Sequence, residues 1–261
     1  DEEYTNLDFT IPTTTRQVNT KNELFKVVSK TDSSIVMSSS SGLNLSYTLR
    51  PQSYVLEQNW ISDVKETQAI IHFETRMNRQ EVNLSRERQY STIKYLPTNE
   101  DATESLSQTS NETIEEENSM HWVSLGQQFF NTTIIPKNGF SNAIMSSEYQ
   151  ENDENYVKKY KLKANIAAQN DTIGLKYFIG PSDYNLLENE NQGLQYIVPL
   201  SQDIIIFRWM RIFNIYLIIP IFNFLSQFFS NYGLIIILMT LFIKLITAPL
   251  SYKTYKSGVA M

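Results

Sequence analysis

Asn231-Tyr-Gly-Leu-Ile-Ile-Ile-Leu-Met-Thr-Leu-Phe-Ile-Lys-Leu-Ile-Thr-Ala-Pro-Leu-Ser251 is an apolar run whose one charge between Gly233 and Leu250 is Lys244. At about 1.5 Å of rise per residue, a helix of this length crosses most of a bilayer core. An ammonium inside a membrane costs roughly a few kcal/mol or more, so it persists where it faces protein or water. Thr240 stands four residues before Lys244 and Thr247 three after it, so the three share one helix face. In the alternative reading Lys244 snorkels to an interface and the threonines bond back to their own helix. Lys244 lies about eleven residues from the Tyr232-Gly233 start, a depth that favours a polar groove.

Just upstream, Asp203 to Ser230 is a second apolar segment. At about 100° per residue, Arg208, Arg211, Asn223, Ser226, Gln227 and Ser230 gather on one side. Ile215, Ile219 and Phe222 intrude there, and Pro220 must kink or break the helix. A second transmembrane span is the competing reading. Two arginines, a central proline and several amides favour an amphipathic helix over 203–230 that lies in the membrane interface. Tyr252, Lys253, Tyr255 and Lys256 come directly after Pro249, and lysines at a helix end favour the cytoplasmic side. Residues 1–200 then belong outside the cytoplasm.

Those first two hundred residues have another character. Leu43-Asn-Leu-Ser-Tyr-Thr-Leu49 alternates apolar and polar, the pattern of a half-buried strand. Leu24-Phe25 with Val27-Val28, Ile35–Met37, Ala69–Phe73 and Ile93–Leu96 are shorter candidates, while Glu81–Arg88 is left open between strand and helix. Strands resume at His121–Leu125, Gln127–Phe130 and Thr132–Ile135, then at Tyr156–Ala167 and Gly174–Gly180. Many short strands and turns with little helical periodicity predict a mainly β fold, a β-sandwich. Asn99 to Asn118 carries seven acidic residues and no lysine, arginine or aromatic residue, which predicts an exposed flexible loop rather than a calcium site. Ser182–Glu188 predicts a short capped helix.

The chain has 261 residues, a net charge of -6 and no cysteine. That charge gives the fragment no bulk attraction for nucleic acid, and disulfides and thiolate metal sites are excluded. The mean hydropathy of -0.31 averages two regions of opposite character. His72 and His121 each sit in a strand pattern, and a metal or acid–base pair would need them to meet in space. No phosphate-loop, serine-hydrolase or zinc-protease motif occurs, so no catalytic residue, metal or cofactor is expected. Asn-x-Ser/Thr triplets at Asn44, Asn83, Asn111, Asn131 and Asn170 are accounted for by composition.

Asn231-Tyr232-Gly233, the Ile-rich run, Thr240, the basic residue at 244, Ala248-Pro249-Leu250 and the tail Tyr252-Lys253 to Ala260-Met261 resemble the YidC/Oxa/Alb membrane-protein insertases. The Trp122 to Pro136 block resembles the large periplasmic domain of the bacterial YidC type. The resemblance implies a twisted supersandwich similar to mutarotase and carbohydrate-binding folds over 1–200. It also implies an interfacial helix over 203–230, a transmembrane helix over 231–251 and the start of a cytoplasmic helical hairpin over 252–261. Lys244, where the family usually has arginine, would supply the charge of a substrate groove, and Thr240 and Thr247 its hydroxyls. Lysine keeps the charge but not the planar donor fork. The implied partners are nascent membrane proteins, the lipid bilayer, the Sec translocon with its accessory proteins, and the ribosome through missing cytoplasmic parts. The chain begins Asp-Glu-Glu and stops after the apolar run, and the resemblance implies one membrane helix before it and four after. The alternatives are a membrane-tethered carbohydrate- or partner-binding domain and a mutarotase-like epimerase using the histidines.

Overall fold

The structure is a computed structural model that describes residues 5–64, 68–100, 102–168, 171–199 and 208–259. Asp101 of the acidic stretch, Asn170, the expected helix start at 203–207 and the tail at 260–261 lie outside the described residues. The chain divides into two compact units, Asp1–Val198 and Pro199–Met261.

The first unit is a sheet folded on itself into a β-sandwich. One layer runs β2 (Gln17–Asn19), β1 (Thr5–Pro12), β7 (Gln68–Asn78), β14 (Tyr156–Ala167) and β13 (Phe140–Glu148), with β10 (Glu112–Glu116) also on β13. The other runs β11 (Met120–Gly126), β12 (Phe130–Pro136), β15 (Thr172–Pro181), β6 (Val55–Ile61), β5 (Asn44–Leu49), β4 (Ser34–Ser39) and β3 (Phe25–Lys30). β8 (Ile93–Pro97) pairs with β11, and β9 (Glu104–Ser105) pairs with β8. All these pairings are antiparallel, and between β11 and β13 the register holds a single pair, Met120 with Phe140.

The layers are held by what their inward faces bury. On β7, Ala69, Ile71, Phe73 and Thr75 point in while His72 and Glu74 point out, the period of two that a half-buried strand requires. On β14, Tyr160, Leu162, Ala164 and Ile166 do the same. These side chains share one core with Leu45, Trp60, Leu175 and Tyr177 of the opposite layer. The Phe9 and Trp60 rings, from β1 and β6, lie 5.4 Å apart across it. At about 25 cal/mol per Å² of apolar surface, such burial is the main stabilising term. A polar thread runs along one layer, from β15 through β6 to β5: Tyr177 donates to Gln58 Oε1 at 2.7 Å, and Gln58 Nε2 donates to Tyr47 at 2.8 Å. Both amide ends are thus satisfied, and burial pushes the two phenols above their usual range.

A second apolar cluster joins Leu96, Trp122, Ile135 and Phe178 to Leu187, Leu194 and Ile197 of the strap that ends this unit. In the strap, α2 (Tyr184–Asn189) is capped by Asp183, whose carboxylate accepts the Leu186 N–H at 3.0 Å. Gly193, at φ +74°, then turns the chain into a single 3₁₀ turn, Leu194–Ile197. Trp122 Nε1 donates to the Gln192 carbonyl at 2.9 Å, and Lys94 Nζ to that of Ile197 at 3.1 Å.

Several expectations change. The acidic stretch 99–118 is not a flexible loop, for it contains β9 and β10. Pairing with β8 and β13 supplies the backbone bonds, and buried Leu106 with half-buried Ile114 supplies the anchors. Glu104 and Glu116 both accept from the Tyr95 hydroxyl, at 2.5 and 3.2 Å. Gln127–Phe129 is a turn rather than a strand, closed by the Gln127 N–H on the Phe130 carbonyl at 2.8 Å. The patch at Glu81–Arg88 gives α1 (Leu84–Tyr90), capped by Asn83. β1, β2, β6 and β13 had no clear signal in the sequence.

In the second unit, α3 (Arg208–Phe213) passes through a π turn (Asn214–Ile218) into α4 (Ile219–Ser226). Pro220 sits in the first turn of α4, where its missing N–H costs least. The π turn is closed by the Ile219 N–H on the Asn214 carbonyl, so the break expected at the proline is a widened turn just before it. The side chain of Asn231 caps α5 (Tyr232–Val259) by accepting the N–H groups of Gly233 and Leu234 at 2.9 and 3.2 Å. Helix α5 continues through Pro249 to Val259, so the stretch 231–251 and the described part of the expected hairpin start run as one helix. Proline removes one rung of the ladder, and the rungs on either side carry the helix past it.

Gly139 lies at φ +70° in the turn from β12 to β13, where a Cβ would stand 2.5 Å from the Met120 carbonyl oxygen. Gly139→Ala is therefore expected to destabilise the sandwich by about 1–3 kcal/mol in urea unfolding. An unchanged midpoint would mean that the seam between the layers has slack.

Candidate functional site

Helix α5 positions the candidate residues. Tyr232–Pro249 is long and apolar enough to cross a membrane, with a mean hydropathy of 2.0, and almost all of it is exposed. The Met210–Ser226 stretch is also apolar but shorter. Thr240, Lys244 and Thr247 fall within about 60° of arc on α5. All three are exposed. Thr240 Oγ1 donates to the Ile236 carbonyl at 2.8 Å, and Thr247 Oγ1 to those of Ile243 and Lys244 at 2.9 and 3.3 Å. Each hydroxyl spends its proton on its own helix, so the lone pairs are what the face offers outward.

The opposite side of α5 is the packed one. Ile235, about 180° around the helix from Lys244, is fully buried. The Tyr232 ring stacks on Phe222 of α4 at 6.1 Å with the planes 2° apart. Within this unit, α4 thus packs away from the Lys244 face. The structure brings the three expected residues together and sets no carboxylate of the described residues beside the ammonium.

The histidines are not brought together. His72 faces outward on β7, in a cleft with Asp8 and Lys163, while exposed His121 stands on β11 of the other layer. Among the described residues, no group of three histidine, aspartate or glutamate side chains could hold a metal. A second cleft, of about 370 Å³, is walled by Tyr54, Phe130 and Ile179. Gly180 gives it a floor, since a Cβ there would meet the Tyr54 ring at 2.8 Å. Pattern reading missed this cleft because Tyr54 lies in a turn and Phe130 at a strand end.

The fold and the site define a class: a β-sandwich domain continued by an apolar helix that carries a lysine-centred polar face. Within that class the chain belongs to the YidC family, for the family model described as the YidC periplasmic domain matches residues 3–213. The membrane protein insertase YidC of Porphyromonas gingivalis is 34% identical over 281 aligned residues, covering 97% of this chain and 44% of that protein. Those of Parabacteroides distasonis and Amoebophilus asiaticus are 31% and 30% identical over all of this chain, which spans 44% and 47% of their lengths. The chain thus spans about half the length of the curated relatives it matches. Among solved structures, an α-galactosidase from Lactobacillus brevis is 10% identical with a TM-score of 0.34, covering 74% of this chain and 29% of that one. At that level the likeness carries no argument.

Because the threonine hydroxyls bond within α5, Thr240→Val and Thr247→Val should each change its stability by less than about 0.5 kcal/mol. Circular dichroism melts in detergent would check this, and a large loss of helix would show that the hydroxyls hold the fold.

Proposed function

We propose that this chain is the periplasmic domain and the opening of the membrane core of an insertase that helps inner-membrane proteins to enter and fold in the bilayer. Membership of the YidC family and the names of the relatives support the activity. The observation that carries the mechanism is the exposed face of Thr240, Lys244 and Thr247 on a helix otherwise built of Ile, Leu, Phe and Met. Moving the polar flank of a nascent helix across hydrocarbon costs several kcal/mol per unsatisfied group. A fixed ammonium lined by hydroxyl oxygens lowers that cost and attracts acidic residues of the arriving segment. No bond of the substrate is made or broken.

In this reading residues 1–200 are periplasmic. Lys253 and Lys256, after Pro249, hold the far end of α5 at the cytoplasmic side of the bacterial inner membrane. The partners are nascent membrane proteins and the lipid bilayer, together with the Sec translocon and its accessory proteins. The ribosome would be met through parts beyond this chain, and the fragment itself binds no nucleic acid. Stretch 203–230, with its break before Pro220, would lie in the interface. In the full-length protein, Lys244→Ala should lower insertion of a substrate with an acidic tail several-fold while Lys244→Arg retains it. Crosslinks from positions 240 and 244 to the nascent helix should accompany the wild-type activity. Normal insertion by Lys244→Ala, or crosslinks to lipid alone, would remove the groove role.

One observation favours a second reading, in which the sandwich binds a carbohydrate. Tyr54 and Phe130 are 45% and 57% exposed and flank the same cleft, an arrangement suited to stacking against a sugar ring. Saturable quenching of tyrosine fluorescence by a glycan, lost in Tyr54→Ala, would support it, and no response across a glycan panel would end it.

A further inference from the structure

Strand β14 opens with a bulge. Its register slips between Tyr156 and Lys158, so Val157 and Lys158 both turn inward and are 0% and 1% exposed. The ammonium of Lys158 donates to the Gln108 carbonyl at 3.0 Å and lies 5.8 Å from the centre of the Tyr149 ring. The guanidinium of Arg88, from α1, lies 5.0 Å from the centre of the same ring. Arg88 in turn donates to the carbonyls of Gln150, Asp153, Tyr156 and Val157 at 2.6–3.1 Å. Two cations are thus gathered around one ring, and every hydrogen bond they make ends on a neutral carbonyl oxygen. Among the described residues, neither meets a carboxylate. A buried ammonium in that position is normally paired, because its lost hydration is otherwise uncompensated. Burial and the nearby Arg88 charge lower Lys158 to about 8, as expected of a lysine with no counter-ion.

The node borders a cleft of about 500 Å³ walled also by Arg76 and Lys159. Its two acids are already engaged. Glu148 accepts from Lys161 Nζ at 3.2 Å and from the Ser146 hydroxyl at 3.4 Å. Asp153 accepts the Asn155 N–H at 3.0 Å, and Lys159 is ion-paired with Glu74. Nearby on β13, the buried hydroxyl of Ser147 has no hydrogen-bond partner among the described residues.

We infer that this cleft is a binding site for a small oxyanion, in which Lys158 and Arg76 hold a phosphate group against the uncompensated charge of Arg88. The volume exceeds that of phosphate alone, so the group can arrive free or as part of a lipid headgroup.

Thermal unfolding of the whole chain in neutral detergent, titrated with inorganic phosphate at constant ionic strength, tests the site. The expected result is a saturable rise in Tm that chloride does not reproduce. Arg76→Gln should weaken the apparent affinity about tenfold and Lys158→Met should abolish the response. Lys26→Gln, on edge strand β3, should leave it unchanged. Should Lys158→Met fail to fold, Arg76→Gln carries the decision. A parallel arm measures co-sedimentation with phosphatidylglycerol and phosphatidylcholine vesicles. Binding that needs Arg76 and the anionic lipid, without a response to free phosphate, assigns the headgroup as the source. A response to neither probe, or one of equal strength in Arg76→Gln, overturns the site.

Discussion

The two layers of the sandwich depend on one shared apolar face. Between β11 and β13 only Met120 and Phe140 pair, so edge bonding contributes little to holding the layers together there. The contact is face to face, with Phe9 against Trp60 and Tyr160 against the Gly126 carbonyl, and the buried side chains of both layers form a single cluster. Because burial of apolar area is non-directional, the layers could in principle slide. Gly139 and the Tyr160 hydroxyl, which donates across to the Gly126 carbonyl at 2.9 Å, oppose that, since each tolerates only one placement of its partner.

The same accounting of buried polar groups distinguishes the two lysines that matter. Lys244 stands exposed on an apolar helix, and its charge must be met by whatever covers that face. Lys158 stands buried in a sheet beside a second cation and is met by one carbonyl oxygen and the Tyr149 ring. A membrane helix and a sandwich interior both penalise an unpaired ammonium, so in both places the residue points to a ligand or partner. In the readings proposed above, the first meets a passing polypeptide segment and the second a small anion.

The strap after β15 fastens the end of the first unit to its own sandwich. Trp122 reaches the Gln192 carbonyl, and Leu187, Leu194 and Ile197 bury themselves on the layer that holds Phe178. The chain therefore leaves the first unit from a fixed point at Val198 rather than from a loose end.

The sequence by itself determined the strands whose alternation is strong, such as β5, β7 and β14, and the apolar run with Lys244 between two threonines. Those features depend on periods of two and 3.6 residues, which local chemistry sets without help from the rest of the chain. Resemblance in the same run and in the Trp122–Pro136 block pointed to the family. Tertiary structure alone decided the fate of the acidic stretch, because β10 exists only where β13 offers it an edge. It also decided that Gln127–Phe129 turns rather than extends. Lys158 shows the limit most clearly. Alternation from Tyr160 and Leu162 sets it on the inward face, but only the paired strands show that it is buried there beside Arg88, with the bulge turning Val157 inward as well.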